Sequence, residues 1–359
     1  MLKPGRFANG LDVRILWNND PFWDQVPSSD LFSIYHTKMW RNLIQETFKH
    51  TGMYVTVSKD GMLIDVLPFF LIKKNFLGKK FVSTPYEGCN GGFSSSDVKV
   101  RKMLIKKVLE YAQELNVKYV EIRSKHQINE LKEFDFFERK PLLISEVKLK
   151  DLDENWKRLS SKHRRNVRIA QKKGVTVETA SNAAEMKIFY KILANHYREL
   201  GLPFFGEKFF KQIWGKLIQK DLACLLLAKL KDKVIGGHLL FFSGKTLVSK
   251  YAAVKKDERF SKLYASYALF WEGIRLGITN NFVRFSLGVT GESNTGLLDF
   301  KSRFGSETNP VYFYYYPIKG KTPDFARYYS EYSFLKKMWR IAPAFLTSAV
   351  GQKINEWIC

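Results

Sequence analysis

Two stretches far apart in the chain answer each other: KDGMLIDVLPFF at Lys59–Phe70 and KDKVIGGHLLFF at Lys231–Phe242. Each reads as a strand, a turn and a strand, because apolar runs rich in branched and aromatic side chains follow a polar turn. The next piece matches too, GKKFVS at Gly78–Ser83 and GKTLVS at Gly244–Ser249. Both halves continue with a helical stretch, Arg101–Leu115 and Lys262–Gly277, and close with a strand, Val117–Arg123 and Asn281–Gly288. In the first helix Met103, Leu104, Val108, Tyr111, Ala112 and Leu115 recur at the three-and-four spacing of one buried stripe. Four elements repeated in order predict a tandem duplication built of mixed α/β layers. The expected division is a first domain at 1–150, a second at 151–322, and a C-terminal helical extension at 323–359.

The length permits this, since 359 residues with 45% hydrophobic content can bury two ordinary cores. Lys and Arg outnumber Asp and Glu by 59 to 35, a formal charge of +24. So wide a positive field implies a polyanionic partner: nucleic acid, a phosphorylated substrate or an anionic membrane face. Cys89, Cys224 and Cys359 are scattered without CxxC spacing, which suits a reducing compartment. The first twenty residues lack the apolar run of a secretory leader, and no stretch is long and apolar enough to span a bilayer. The expectation is a cytoplasmic protein with peripheral contact at the inner membrane face.

Between the halves lies ENWKRLSSKHRRNVRIAQKKG, in which Trp156, Leu159, His163, Val167 and Ala170 share one helical face. Arg158, Lys162, Arg165, Arg168 and Lys172 occupy the others, and no acid occurs from Lys157 through Val177. Like charges so placed repel unless an anion joins them, so Arg164, Arg165 and Arg168 are candidate polyanion contacts. A solvated basic helix is the competing reading. The aromatic and aliphatic tail after Pro323 reads as a helix docked on its own domain, with a membrane-surface helix as the alternative.

The six histidines stand apart, with no HExxH and no close cysteine, so no metal site is expected. Cys89 has no base placed beside it and reads as a buried thiol rather than a nucleophile. Lys301 is harder to dismiss, because it follows Phe300 in LLDFKSRFG, a stretch that otherwise resembles the edge of a core.

Taken in order, VLPFFLIKKNFLGKKFVSTPYEGCNGGF at Val66–Phe93, YRELGLP at Tyr197–Pro203, TGLLDFKSRFG at Thr295–Gly305 and MWRIAPAFLTSAVGQKI at Met338–Ile354 resemble the FemAB-like branch of the GNAT acyltransferase superfamily. The nearest likeness is to its exosortase-associated members. The resemblance implies two tandem GNAT-type domains and puts the family's Phe-Lys pair on Phe300 and Lys301, with the lysine near the transferred acyl group. It also implies acceptor contacts for Tyr251 and for Arg198 of the Arg-X-Leu-Gly-X-Pro pattern. Tyr86, beside Gly88, Gly91 and Gly92 in STPYEGCNGG, joins them as a candidate, since bare backbone amides there could approach an anion.

Three departures matter. Relatives commonly read Phe-Asp-Phe-Gly-Arg-Ser where this chain has FSLGVT at Phe285–Thr290, which removes a local ion pair. The synthetase-like helical arm of some relatives has no counterpart. Enzymes of the superfamily that use acyl-CoA cradle pyrophosphate on a glycine-containing turn. The matching segment here, DERFSKLYAS at Asp257–Ser266, has no glycine.

The resemblance therefore implies aminoacyl-tRNA as donor, an amine of an envelope precursor or glycan as acceptor, and no cofactor. The enzymatic alternative is N-acylation of an exopolysaccharide or lipid amine from acyl-CoA or an acyl carrier. The non-enzymatic one is a binding module for an anionic glycan or nucleic acid.

Overall fold

The computed structural model describes residues 5–6, 10–17, 33–74, 78–257, 260, 262–319, 322, 339–340, 350–351 and 353. Strands run in chain order as β1 (Gly5–Arg6), β2 (Leu11–Leu16), β3 (Thr51–Lys59), β4 (Met62–Lys74), β5 (Gly78–Val82), β6 (Tyr119–Ser124) and β7 (Phe137–Lys148). They continue as β8 (Val175–Thr179), β9 (Ala223–Leu230), β10 (Lys233–Ser243), β11 (Thr246–Val254), β12 (Arg284–Thr290) and β13 (Glu307–Pro317). Packing divides the chain into one unit of Met1–Leu143 with Pro310–Asp324, and another of Ile144–Asn309 with Phe325–Cys359. The expected extension at 323–359 lies almost wholly outside the described residues.

In the first unit the strand order is β1-β2-β3-β4-β5-β6-β13. The β3–β4 hairpin closes through Asp60 and Gly61, both with left-handed φ (+50° and +82°), the twist that suits tight hairpins. This corrects one detail of the sequence reading: the turn stands at the front of Lys59–Phe70, and one long strand fills the rest. The helix Val98–Glu114 begins at Asp97, whose carboxylate accepts from the amides of Lys99 and Val100. It crosses from β5 to β6, which pair in parallel. Its buried Leu104, Ile105 and Val108 pack with Val55, Phe69, Phe81 and Val120. β13 returns late in the chain to pair antiparallel with β6, from Tyr312↔Ser124 to Pro317↔Tyr119.

The second unit repeats the plan. β9, β10 and β11 form an antiparallel meander with β8 on its far edge. The helix Ala265–Thr279 then leads to β12, parallel to β11. Leu226, Leu240, Leu247, Leu269, Ile274 and Phe285 form its core. Each such side chain, fully buried, contributes about 1.5–3 kcal/mol relative to exposure.

The basic stretch is not one helix. It forms Leu152–Arg158 and Ser161–Lys172, with Leu159 and Ser160 between them. Ser160 caps the second helix by accepting from the His163 amide at 3.2 Å. The side-chain cap supplies a partner for an amide that the first turn leaves unpaired, so a new start is favoured even though apolar periodicity runs across the junction. Leu159, His163, Val167 and Ala170 are buried as the periodicity predicts, and Trp156 packs at the edge of the core.

Candidate active site around Lys301

β11 and β12 run together for three residues only, Thr246↔Arg284, Leu247↔Phe285 and Val248↔Ser286. β11 stays with β10 as far as Val254↔Gly236, and its register shifts at Lys250, the extra residue of a bulge. β12 instead turns at Gly288, whose φ is +80°; a Cβ there would sit 3.3 Å from the Ser249 carbonyl oxygen. Only glycine takes that conformation without strain. The end of β12 thus presents the carbonyls of Gly288 and Val289 and the hydroxyl of Thr290 to whatever packs over it.

Lys301 packs there. It lies on the short helix Thr295–Ser302, started by the side chain of Asn294, which accepts from the Leu297 amide. It is 4% exposed. Its ammonium donates to Gly288 O at 2.7 Å, Thr290 Oγ1 at 2.7 Å and, more loosely, Val289 O at 3.4 Å. An ammonium has three hydrogens, so each has an acceptor within the chain. Burial lowers the Lys301 pKa from 10.5 to about 8. The group therefore stays mainly charged at neutral pH, close to the range where a lysine exchanges protons readily. Thr290, itself buried, accepts from Lys301, while its own hydrogen is donated to no described residue.

Phe300 faces an aromatic cluster. Its ring meets Tyr267 and Phe270 at 5.4 Å and His163 and Phe304 at 5.3 Å. Its carbonyl oxygen accepts from His163 Nε2 at 3.1 Å. A carbonyl can only accept, so Nε2 carries the hydrogen and Nδ1 receives the Ser160 hydroxyl at 3.2 Å. Burial pushes the His163 pKa down to about 4, which keeps the ring neutral. The Ser160 amide donates to Arg303 O at 2.9 Å. Through these bonds the start of the basic helix and the end of the Lys301 helix are fastened together.

The three arginines of the basic helix have different surroundings. Arg164 Nη1 donates to the carbonyls of Lys157 and Leu159, closing the C-terminal end of the preceding helix. The Arg168 guanidinium lies 5.4 Å from the centre of the Trp156 ring. Arg165 is exposed.

Tyr251 is 8% exposed on β11, with Phe204 at 5.7 Å and Phe210 at 5.5 Å. Arg198 sits in the last turn of the helix Ala183–Leu200, where Nη2 donates to Asn195 Oδ1 at 2.8 Å and the buried Nε has no hydrogen-bond partner among the described residues. Gly201 (φ +72°) ends that helix, its amide bonding Arg198 O while Leu202 bonds Tyr197 O. Part of the Arg-X-Leu-Gly-X-Pro pattern is thus a helix stop. Phe204, stacked on Tyr197 at 4.1 Å, joins this helix end to Tyr251.

Tyr86 belongs to the first unit. It takes a left-handed φ of +66°, stacks on Phe48 at 4.1 Å and shares a hydrogen bond of 2.7 Å with His50 Nε2. The glycines of its loop serve packing: a Cβ on Gly91 would fall 1.8 Å from Thr84 Cγ2, and one on Gly92 would fall 3.1 Å from Arg123 O. Close packing thus gives Gly91 and Gly92 a structural reason to lack a side chain, which stands beside the expectation that their amides meet an anion.

Sequence reading found Lys301 and Phe300 but missed Thr290 and His163 as partners. His163 had a signal, being the one ionisable side chain on the buried face of its helix. Thr290 had none, because its link to Lys301 spans eleven residues.

Residues 157–302 match the model of the acetyltransferase (GNAT) domain family. The solved structure of FemX aligns over 85% of this chain and 98% of its own, with a TM-score of 0.69 and 16% identity. A C-terminal domain from Agrobacterium fabrum, assigned to a lysylphosphatidylglycerol synthetase, aligns over 80% of this chain and 91% of its own, with a TM-score of 0.56 and 13% identity. A tandem GNAT protein from the clavulanic acid pathway covers 87% of this chain and 100% of its own, with a TM-score of 0.50 and 10% identity. No curated protein sequence matches the chain. Residues 157–302 thus carry a match to the acetyltransferase (GNAT) domain family, and the chain shares its fold with FemX and with the tandem GNAT protein.

Proposed function

We propose that the protein transfers an aminoacyl group from aminoacyl-tRNA to an amine of a cell-envelope precursor. The observation that carries this reading is the buried Lys301 ammonium, held at the end of β12 beside a threonine whose hydroxyl hydrogen is donated to no described residue. In such a transfer the amine nitrogen attacks the ester carbonyl carbon and a C–N bond forms. Negative charge collects on the carbonyl oxygen until the bond to the ribose oxygen breaks. The proton lost by the amine ends on that ribose oxygen. A fixed cation in a dried site stabilises the transient oxyanion most when nothing must reorganise to meet it.

Lys301 supplies the charge by way of two routes. Its long bond to Val289 O is the one most easily redirected to a substrate oxygen, and its short bond polarises Thr290, whose O–H donates to no described residue. Tyr251, Arg198 and Tyr86 are the proposed acceptor contacts, and Arg165 and Arg168 the proposed tRNA contacts. Arg164 has a structural task already and leaves two arginines rather than three for phosphate.

The donor assignment is supported by the +24 charge and by the glycine-free segment at Asp257–Ser266. Within that segment Leu263 is buried, and Tyr264, in a left-handed conformation, precedes the helix Ala265–Thr279 without a side-chain cap. Glu258, Arg259 and Ser261 lie outside the described residues. Both named neighbours, FemX and the synthetase domain, share the fold, which is compatible with an envelope acceptor.

The test is parallel incubation with aminoacyl-tRNA, acetyl-CoA and acyl-carrier protein, with label transfer to envelope extracts followed by mass spectrometry. Transfer from aminoacyl-tRNA alone is expected. Transfer from acetyl-CoA or the acyl carrier, and none from tRNA, would overturn the donor assignment.

A further inference from the structure

The helix Val98–Glu114 of the first unit has a second face that its fold does not use. Lys99, Lys102 and Lys106 are spaced to share one side of it. They border a groove of about 700 Å³ whose apolar lining includes Val98, Met103 and Phe134, and whose two acids are engaged, Asp97 as the helix cap and Glu110 with Lys107. Val98 is half exposed. Lys102 pairs with Glu133 at 2.6 Å, whereas Lys99 and Lys106 have no ion-pair partner among the described residues. The first turn of the helix contains no acid, so Lys99 adds positive charge at the positive end of the helix dipole. The Asp97 carboxylate that caps the helix offsets part of that charge, and Lys99 and Lys106 remain as cations that an incoming anion can join.

Ammonium groups around an apolar floor match a ligand with an anionic head and a hydrocarbon tail. Nucleic acid would meet the lysines but gain nothing from Val98 and Met103. No described helix is long and apolar enough to cross a membrane, so contact through this groove would be peripheral. We propose that the groove docks the first unit on an anionic phospholipid surface, a phosphate headgroup lying among Lys99, Lys102 and Lys106 and acyl carbon over Val98, Met103 and Phe134. The proposal stands independently of the acyl donor and of Lys301.

Flotation of the full chain with vesicles tests it. The wild type should float with phosphatidylglycerol–phosphatidylcholine vesicles and not with phosphatidylcholine alone. Each lysine near an anionic surface is worth about a fivefold change in partition, so replacing Lys99, Lys102 and Lys106 together with Gln should weaken binding about a hundredfold. Val98→Asp is the sharper variant. An acid at the first helical position suits the helix dipole, and an unchanged denaturation midpoint separates loss of flotation from unfolding. Absence of flotation by the wild type, or flotation unchanged in both variants, would overturn the proposal. So would a triple variant that keeps its vesicle binding but loses affinity for uncharged tRNA, which would make this a nucleic-acid face.

Discussion

Lys301 and the basic helix Ser161–Lys172 carry the most conspicuous cations of the second unit, and the fold treats them in opposite ways. Lys301 looks isolated in sequence yet is buried, with acceptors for all three of its hydrogens within the chain. The helix looks like a uniform basic platform, yet its arginines divide into a helix closure at Arg164, an indole partner at Arg168 and an exposed side chain at Arg165. The difference teaches that charge density in a sequence says little about which cation is available to a ligand. What decides it is whether the nearby carbonyls need donors.

The comparison breaks most visibly at Lys301. Lys301→Met should lower turnover about 10²–10³-fold, the cost of losing one oxyanion donor. A cleft lysine would leave folding untouched, but a buried one does not: Gly288 O and Thr290 Oγ1 would lose their donor, at about 1–3 kcal/mol. Stability unchanged together with full activity in this variant would show that the tether is unimportant.

His163 fastens the two regions together, and its titration sharpens the contrast. Its pKa is lowered from 6.5 to about 4. Between those values the unfolded chain binds more protons than the folded one, so its contribution is full above pH 6.5 and is lost as pH falls toward 4. The loss approaches about 3 kcal/mol. His163→Gln should flatten the fall in denaturation midpoint over that window. An unchanged slope would mean that the ring titrates freely.

Thr290→Val tests the relay hydroxyl with less disturbance. Turnover should fall about tenfold, equal to about 1.4 kcal/mol, and Thr290→Ser should restore it. Equal losses in both variants would assign Thr290 to packing alone.

The arginines give the smallest effects and separate the two kinds of cation. Arg164→Gln should cost about 1 kcal/mol because two carbonyls lose a donor, whereas Arg165→Gln should stay within about 0.5 kcal/mol. In tRNA binding, replacing Arg165 and Arg168 should flatten the log–log salt slope by about 1.4–1.8. Equal stability losses for Arg164 and Arg165 would remove the distinction.

The repeated order of elements was legible because hairpins are local: Asp60–Gly61 and Lys231 mark their turns within a few residues of the strands they join. The return of β13 to β6 was not, since Tyr314 and Ile122 lie nearly two hundred residues apart and no local propensity specifies that pairing. In the candidate site the Phe300–Lys301 pair could be picked out, but the burial of Lys301 depends on a left-handed Gly288 that aims strand carbonyls at it. The break at Leu159–Ser160 had a signal in Ser160, a good N-cap, that apolar periodicity concealed.

The central claim is that Lys301 is a desolvated ammonium fixed by the end of β12. Its direct measurement is an NMR titration of lysine Cε resonances, with the Lys301 signal assigned by its loss in Lys301→Arg. The account predicts a midpoint of about 8. A midpoint at 10.5, the ordinary value for a solvated lysine, would contradict it.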